Sequence, residues 1–461
     1  MNTAVDSIIC GLTDEIVSDV RQTIRFRSVR GPAAGRGAPF GEEIKQCLDY
    51  VLNLAKTMGF AVKNLDGYAG VIDYDCGCDE TFGVLCHLDV VPAGSGWIHD
   101  PFAAQMGGKR IYGRGALDNK GPALSSLYAL HSVKRAGVPL RRNVRIILGC
   151  DEETGWQCME HYRSVEPLPD LAISPDAKYP LIWSEKNVLQ ASYAKKFSSR
   201  ITADAGTMPN VVPGEARCRI PLAPESVCAA ASAVEAETGC TVLLNAEGVG
   251  ARILVRGASA HASRPEQGNN AAAALLSLLA RLPLGSDSDM ANALAERFCD
   301  DLNGQWIGID HADETGRTSM NLGILRWNEA GIERLTVDTR FPFSLSIDMA
   351  QKALEEALLP LGFLPLGTYQ KAIHIVPRES ELVTTLLDVY ERRAGARLEP
   401  IADGSITYAR TIPNAVAFGC GRPGRGECIH MPEEHITVED LMFNTHMLAD
   451  AILALAGDQP A

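Results

Sequence analysis

The sequence lacks an apolar run that could cross a lipid bilayer. Its longest apolar run, Ala271–Ala280, contains one serine and is about half as long as a membrane-spanning helix, which needs roughly 20 residues. Residues 1–6 contain no basic stretch and no long apolar segment follows them, so they do not resemble a secretion signal. We therefore expect a cytoplasmic protein with no membrane role.

The sequence also lacks an excess of positive charge. It contains 43 Lys and Arg residues against 57 Asp and Glu residues, which gives a formal net charge of −14 at pH 7. Such a charge repels the phosphates of nucleic acids and the headgroups of anionic lipids. We expect no nucleic-acid partner, and chemistry on small molecules fits the composition better.

No two cysteines have the CxxC spacing, and their total of thirteen is odd. Several cysteines, among them Cys47, Cys86 and Cys150, continue apolar faces or runs. These features predict reduced, buried thiols rather than a disulfide framework. The sequence also has no obvious repeats or low-complexity segments.

The chain has ample material for a packed core. Of its 461 residues, 46% are apolar and 22% are charged, and the length suits two or three domains. Apolar runs at 81–86 and 144–149 predict strands, and the segment 121–136 between them predicts a helix, which is an α/β pattern. Both predicted strands run directly into His or carboxylate residues. Open α/β sheets bind their ligands beyond the carboxyl ends of the strands.

From about residue 187 the pattern changes to α+β, with strand-like segments alternating with helical ones. The predicted strands there are 189–197, 216–222, 252–256 and 331–339, and the predicted helices are 226–237, 270–282 and 348–358. Outside this part, helical spacing of apolar residues predicts helices at 14–25, 42–58, 382–394 and 437–455.

Five separate stretches hold side chains of the types that bind metals. They contain His87, Asp118, the pair Glu152 and Glu153, Asp176, and His430. Imidazole and carboxylate groups suit zinc, and a catalytic zinc site keeps one position open. If His430 joins the other ligands, the middle of the chain is an insertion. The alternative is two successive domains with His430 on an unrelated surface, and periodicity does not decide between them.

Longer motifs surround these candidate ligands. The chain has HLDVVP at 87–92, GRG at 113–115 followed by DNKGP at 118–122, and DEETG at 151–155. These motifs resemble the dinuclear zinc exopeptidases that include aminoacylase and carnosinase. Further motifs are EKN at 185–187, NVVP at 210–213, GASAH at 257–261, DTR at 338–340 and TYAR at 407–410. Together they resemble the PepV-type bacterial dipeptidases over nearly the whole chain.

The resemblance implies two zinc ions per chain, with Mn²⁺ or Co²⁺ as substitutes. His87 and Asp176 would bind one ion, Glu153 and His430 the other, and Asp118 would bridge both. Such a pair lowers the pKa of a shared water and polarises the scissile carbonyl. The resemblance also implies a non-proline cis peptide at Asp118-Asn119.

The resemblance assigns two further acidic residues beside the metals. Glu152 and Glu153 are adjacent, so in an extended segment their side chains point in different directions, and Glu152 is free to act as the general base. Asp89 follows His87 by two residues and is close enough to accept the other ring N–H, which would fix the tautomer of the imidazole.

The resemblance places substrate-binding residues in the middle segment. His261 matches a histidine that stabilises the developing oxyanion, Asn210 matches a residue near the same carbon, and Arg340 matches one that binds the terminal carboxylate of the substrate. Where relatives have three glycines before TYAR, this chain has Gly404-Ser405-Ile406, and β-branched Ile406 resists positive φ. Binding of the substrate at Gly404 is therefore expected to differ.

These observations predict a dipeptidase that hydrolyses unblocked dipeptides, with a catalytic α/β domain at 1–186 and 376–461. The expected lid is an inserted α+β domain at 187–375, long enough for a monomeric enzyme. A deacylase or desuccinylase of N-acyl amino acids is the alternative within enzymes, because the same site cleaves other amides. A silent zinc- or peptide-binding protein is the alternative outside enzymes.

Overall fold

The computed structural model describes residues 1–426 and 428–458, and it divides the chain into two compact units. Unit 1 consists of Met1–Ser184, Ile375–Ile401 and Ile406–Ala461, and unit 2 consists of Glu185–His374 and Ala402–Ser405. The two main boundaries lie within two residues of the predicted ones. The segment Ala402–Ser405, which we predicted in the catalytic domain, falls in unit 2, where the Gly404 carbonyl accepts a hydrogen bond from Arg340 and Asp403 pairs with Arg264.

The α-helices of the described chain are numbered in chain order. Unit 1 contains α1 (Thr3–Gly11), α2 (Thr13–Ile24), α3 (Glu42–Thr57), α4 (Lys120–Arg135), α5 (Gln157–Val165), α10 (Glu381–Ala394) and α11 (Val438–Ala456). Unit 2 contains α6 (Cys228–Thr238), α7 (Ala271–Ala280), α8 (Ser286–Phe298) and α9 (Ile347–Leu358). Short 3₁₀ helices lie at Pro224–Ser226, Pro265–Gln267, Leu359–Leu361 and Tyr408–Thr411.

The strands are numbered in the same way. In or next to unit 1 they are β1 (Ala61–Leu65), β2 (Ala69–Tyr74), β3 (Thr81–His87), β4 (Gln105–Gly107), β5 (Arg110–Tyr112), β6 (Asn143–Gly149), β7 (Leu171–Ser174), β8 (Ala177–Lys178), β9 (Ile182–Glu185), β20 (His374–Ile375), β21 (Ile401–Asp403), β22 (Ala415–Ala417), β23 (Cys420–Gly421) and β24 (His435–Thr437). Unit 2 contains β10 (Asn187–Lys196), β11 (Thr202–Ala205), β12 (Glu215–Ile220), β13 (Thr241–Glu247), β14 (Gly250–Arg256), β15 (Ala312–Asp313), β16 (Gly316–Arg317), β17 (Ser319–Asn328), β18 (Gly331–Phe341) and β19 (Leu364–Lys371).

Unit 1 is built on a mixed sheet with the order β1-β2-β6-β3-β7-β22-β9-β20. The central strands β6, β3, β7 and β22 are parallel, and β2 joins β6 in the antiparallel sense. Helices α4 and α11 pack on β3 and β6, while α3 and α5 pack on β2. Strand β7 and nearly all of β3 are buried, as expected for parallel strands covered on both faces. The predicted α/β class is confirmed.

The N-termini of two helices in unit 1 lie next to chain segments that carry candidate metal ligands. Helix α4 begins after Asn119, directly beyond Asp118, and ends with Lys134 and Arg135, whose charges complement the helix dipole. Helix α11 begins at the N-cap Thr437, whose hydroxyl accepts the backbone N–H of Asp440. Helix α11 packs on α4, and the hydroxyl of Ser125 in α4 donates to the carbonyl of Leu441 in α11 at 3.5 Å, so the chain before α11 is brought near the start of α4.

Unit 2 is built on an antiparallel sheet with the order β13-β14-β12-β11-β17-β18-β10-β19. Strand β12 alternates between buried and less buried residues, so one face of the sheet carries the core. Helix α7 covers β12, β14 and β17 on that face, and α9 packs on β10. The α+β pattern predicted for this part of the chain is confirmed.

Two features bear on the sequence predictions about the whole chain. Among the described residues, the helices fall short of the length or the apolar content that a transmembrane segment requires. Cys47, Cys86 and Cys150 are buried free thiols, as predicted.

Candidate metal centre

The carboxyl ends of three adjacent parallel strands bring metal-binding side chains together in unit 1. Strand β3 ends at His87, strand β6 is followed by Glu152 and Glu153, and strand β7 is followed by Asp176. Because β6, β3 and β7 are neighbours with the same direction, these residues meet at one edge of the sheet.

Asp118 lies between the two histidines. Its Oδ1 is 2.9 Å from Nε2 of His87, and its Oδ2 is 3.0 Å from Nε2 of His430. Each carboxylate oxygen therefore faces a different imidazole, which is the arrangement of a carboxylate that bridges two cations. The peptide bond Asp118-Asn119 is cis, as the resemblance implied.

The remaining ligand candidates each face one of the same two histidines. Glu153 Oε1 is 3.1 Å from Nε2 of His430, and Asp176 Oδ2 is 3.6 Å from Nε2 of His87. His430 adopts a left-handed φ of 59°, an uncommon conformation for a residue other than glycine that is typical of constrained functional positions. The structure thus brings together His87, Asp118, Glu153, Asp176 and His430.

Asn119 is a residue of this centre for which the sequence predicted no function. Its side-chain amide donates to the carbonyl of Pro175 at 2.9 Å and to Oδ1 of Asp176 at 3.0 Å. These bonds fix the direction of the Asp176 carboxylate. Its place inside the DNKGP motif was the signal that could have identified it.

Asp89 makes contacts that differ from the predicted one. Nδ1 of His87 lies 2.9 Å from the backbone carbonyl oxygen of Asp89 and 3.6 Å from its carboxylate. The carbonyl therefore fixes the tautomer of His87, in place of the carboxylate. The Asp89 carboxylate instead accepts the backbone N–H groups of Glu152 at 3.1 Å and of Glu153 at 3.0 Å, so it orients both glutamates.

The electrostatics of the centre favour bound cations. Burial and Asp118 raise the pKa of Asp176 to about 7 and also raise the pKa of Glu153. Burial acts against protonation of the two histidines, but the carboxylates that face them raise the pKa of His87 and of His430 well above the usual range. Cations bound among these carboxylates would offset both their mutual repulsion and the free-energy cost of burying their charges.

Glu152 offers a test of whether the residues fit a metal centre. Its Oε1 is buried and has no hydrogen-bond partner within the described residues. Burial and Asp176 raise the pKa of Glu152 well above its usual range. An unpartnered carboxylate oxygen among two imidazoles and several carboxylates fits a place where cations and water bind.

The geometry of Glu152 also permits direct ligation. One of its oxygens lies within 4.8 Å of ligand atoms of both His87 and Asp176. Its distances alone therefore allow Glu152 to serve as a base or as a ligand.

Cys86 precedes His87 but is not arranged as a ligand. Its Sγ lies 3.6 Å from the hydroxyl of Ser126, and burial raises the pKa of the thiol to about 12. A thiol with this pKa remains protonated at neutral pH.

Unit 2 brings two of its predicted substrate-binding residues onto adjacent segments. The backbone N–H of Ala262 donates to the carbonyl of Asn210 at 2.9 Å, and Val211 forms a bridge with His261. The exposed His261 is oriented by Ser263, whose hydroxyl lies 2.7 Å from Nδ1 of the ring.

Arg340 and Gly404 are in contact within unit 2. The Arg340 side chain is 1% exposed, its Nε donates to Asp338 at 3.1 Å, and its Nη1 donates to the carbonyl of Gly404. A Cβ on residue 404 would come within 2.6 Å of Ser263 and 3.2 Å of the Arg340 side chain, so the close approach requires glycine.

The segment after Gly404 shows no backbone strain. None of Gly404, Ser405 and Ile406 is among the described residues with left-handed φ. Ile406 is therefore compatible with its backbone, and the predicted conflict between a β-branched residue and positive φ does not arise.

The chain is similar to known peptidases over most of its length. The profile of peptidase family M20/M25/M40 matches residues 83–454. The chain is 34% identical over 459 residues to the Bacillus subtilis protein named "Putative dipeptidase YtjP", covering 96% of this chain and 97% of that protein. It is 30% identical over 458 residues to a Staphylococcus epidermidis protein named "Putative dipeptidase", with 96% and 97% covered.

Solved structures share the fold at lower sequence identity. Human carnosine dipeptidase 1 superposes with a TM-score of 0.58 at 15% identity, covering 97% of each chain. The di-peptidase Dug1p from Saccharomyces cerevisiae superposes with a TM-score of 0.59 at 14% identity, covering 98% of this chain and 97% of its own.

Proposed function

This chain belongs to peptidase family M20/M25/M40, and on that premise we propose that it is a zinc-dependent dipeptidase that hydrolyses the peptide bond of unblocked dipeptides. The observation that carries the proposal is the position of Asp118, with one carboxylate oxygen toward His87 and the other toward His430. The names of the relatives, dipeptidases in both cases, support the substrate class.

We assign the metal ligands in two groups that share Asp118. His87 and Asp176 would hold one ion, and Glu153 and His430 would hold the other. When bound, zinc would lower the pKa of a water molecule and polarise the carbonyl of the scissile bond.

Glu152 moves the proton in this proposal. Its unpartnered Oε1 takes a proton from the attacking water and then gives it to the leaving amine. Asp89 serves this step indirectly. Its carboxylate accepts the backbone N–H of Glu152 and so fixes the backbone position from which the Glu152 side chain extends.

Unit 2 supplies the predicted substrate contacts. We propose that His261 and Asn210 stabilise the oxyanion and that Arg340 binds the terminal carboxylate of the dipeptide. The hydrogen bond between the Ser263 hydroxyl and Nδ1 of His261 supports a fixed orientation for the His261 side chain. The guanidinium of Arg340 has five N–H donors, of which Asp338 and the Gly404 carbonyl occupy only part.

The proposal is tested by a substrate screen with defined metals. Metal-free protein is supplied with zinc, manganese or cobalt and assayed against dipeptides and N-acyl amino acids. Metal-dependent cleavage of dipeptides supports the proposal. Preferential cleavage of acylated or succinylated amino acids would replace it with a deacylase, and metal binding without any turnover would indicate a binding protein.

Metal binding should weaken as the pH falls below about 7. Asp176 has its pKa raised to about 7, so at lower pH it carries a proton that a cation must displace. The deprotonated fraction of a group with a pKa of about 7 falls about fivefold between pH 7 and 6, so we expect the affinity for zinc to fall by at least about fivefold, measured by competition with a chromophoric chelator. Equal zinc affinity at pH 6 and 7.5 would contradict this proton competition.

Amidation of the substrate carboxylate should lower kcat/KM by roughly 10- to 100-fold. An amide is neutral and cannot form an ion pair with the guanidinium of Arg340. A hydrogen bond to a charged group contributes about 1.5–3 kcal/mol. The loss is limited because Asp338 already holds part of this guanidinium. The control is Arg340→Met, in which the dipeptide and its amide should be cleaved at similar rates. Equal kcat/KM for both substrates in the wild type rules out this role for Arg340.

A further inference from the structure

The loop that carries His430 has little regular structure of its own. It precedes the short strand β24 and includes two residues with left-handed φ, His430 and Glu433. A metal ligand on such a segment needs support from elsewhere, because a ligand must be held to within about 0.5 Å of its productive position.

Glu434 ties this loop to the turn that carries Asp118. Its Oε1 accepts the backbone N–H groups of Gly115 at 3.0 Å, Leu117 at 3.0 Å and Asp118 at 3.1 Å. The backbone carbonyl of Glu434 accepts the N–H of Gly113 at 2.9 Å. One residue of the His430 loop thus fixes four backbone groups of the Asp118 turn.

Arg114 closes the connection from the opposite direction. Its Nη1 lies 2.6 Å from Oε2 of Glu434, and both side chains are buried. The same guanidinium donates to the carbonyls of Met431 at 3.4 Å and Ala93 at 3.3 Å and lies 5.4 Å from the ring of Trp97. A buried ion pair with this many additional hydrogen bonds holds a defined geometry.

We propose that Glu434 is a positioning residue for the metal centre. Together with its ion-pair partner Arg114, Glu434 sets the separation between Asp118 and His430. The inference rests on the proposed metal site. Its basis is that Glu434 lies four residues after His430 and bonds directly to the N–H of Asp118, so both ligands move if its carboxylate is lost. Sequence alone gave no signal for it, since an adjacent pair of glutamates is also typical of a solvated loop.

The test compares Glu434→Gln with the wild-type protein. Whichever way the amide turns, its NH₂ group faces N–H donors, either of Arg114 or of the Asp118 turn. We expect the affinity for zinc to fall by about 10- to 100-fold, as for other groups that orient metal ligands. Affinity is measured with zinc alone against a chromophoric chelator, and kcat should recover with excess zinc while KM for the dipeptide is unchanged.

Two further variants separate positioning from general stability. Asp450→Asn weakens another ion pair of unit 1, with the partly buried Arg393, and should lower the melting temperature without changing the affinity for zinc. Arg114→Lys keeps the positive charge but not the guanidinium fork, and should weaken zinc binding in the same direction as Glu434→Gln. It serves as the test if Glu434→Gln does not fold by circular dichroism.

The outcomes distinguish this inference from the proposed function. If the wild-type protein binds no zinc or cleaves no dipeptide, the proposed function fails. If the wild type does both, and folded Glu434→Gln or Arg114→Lys binds zinc as tightly with only a lower melting temperature, the positioning role is overturned.

Discussion

Replacing Glu152 with Gln should lower turnover by roughly 10²-fold or more while the protein keeps two zinc ions. The amide preserves the shape of the side chain and its backbone bond to Asp89, but it cannot accept the proton of the attacking water. The measurements are kcat with a dipeptide at saturating zinc, and zinc content by elemental analysis after dialysis.

Glu153→Gln is the matched control, because it changes the neighbouring residue in the same way. Glu153 faces His430 at 3.1 Å, so this variant should lose zinc as well as activity. The opposite result, with zinc lost from Glu152→Gln and kept by Glu153→Gln, would mean that the two roles are reversed. The position of Glu152 near His87 and Asp176 makes this an informative comparison.

Asp118→Asn should remove the coupling between the two ions and lower kcat/KM by more than about 100-fold. The amide has a single oxygen and no negative charge, so it cannot face both His87 and His430 with an anionic oxygen. We expect fewer than two zinc ions per chain by elemental analysis. Excess zinc should restore little activity, because the bridge itself is missing.

The control for Asp118→Asn is Asp73→Asn, which changes a carboxylate elsewhere in unit 1. Asp73 pairs with Arg145, and its loss should leave two zinc ions and nearly full activity. If Asp118→Asn retains two tightly bound ions and wild-type turnover, Asp118 is not a bridge and the two-ion proposal loses its main support.

The elements around the centre could be predicted because their apolar patterns are strong and local. The predicted strands 81–86 and 144–149 correspond to β3 and β6, and the predicted helix 121–136 corresponds to α4. These segments are buried along nearly their whole length, and buried positions require apolar residues, so their sequences show a clear apolar pattern.

Other elements left no such signal. Strand β19 is exposed at nearly every position, so it shows no alternation of apolar and polar residues. Helix α1 buries only Val5 and Ile9, which is too narrow a stripe to mark a helix. Their structure depends on neighbours, such as the pairing of β19 with β10, that periodicity does not report.

The identities of the candidate ligands were accessible from the sequence, but their supporting contacts were not. His87 was correctly expected to have its second ring nitrogen bonded, yet the acceptor is the backbone carbonyl of Asp89. The sequence of the HLD motif is the same whether the carboxylate or the backbone carbonyl of Asp89 accepts this hydrogen bond. Which of them reaches the ring depends on the path of the backbone, and that is set by the fold.

The division of unit 1 into separate stretches of chain has a consequence for synthesis on the ribosome. Roughly 250 residues lie between Asp176 and His430, and at about 5–20 residues per second they take on the order of 10–50 s to be made. During that interval the nascent chain contains His87, Asp118 and Asp176, but it lacks His430. With His430 as the proposed metal ligand, the metal centre thus stays incomplete until all of unit 2, which ends at Ser405, has been translated.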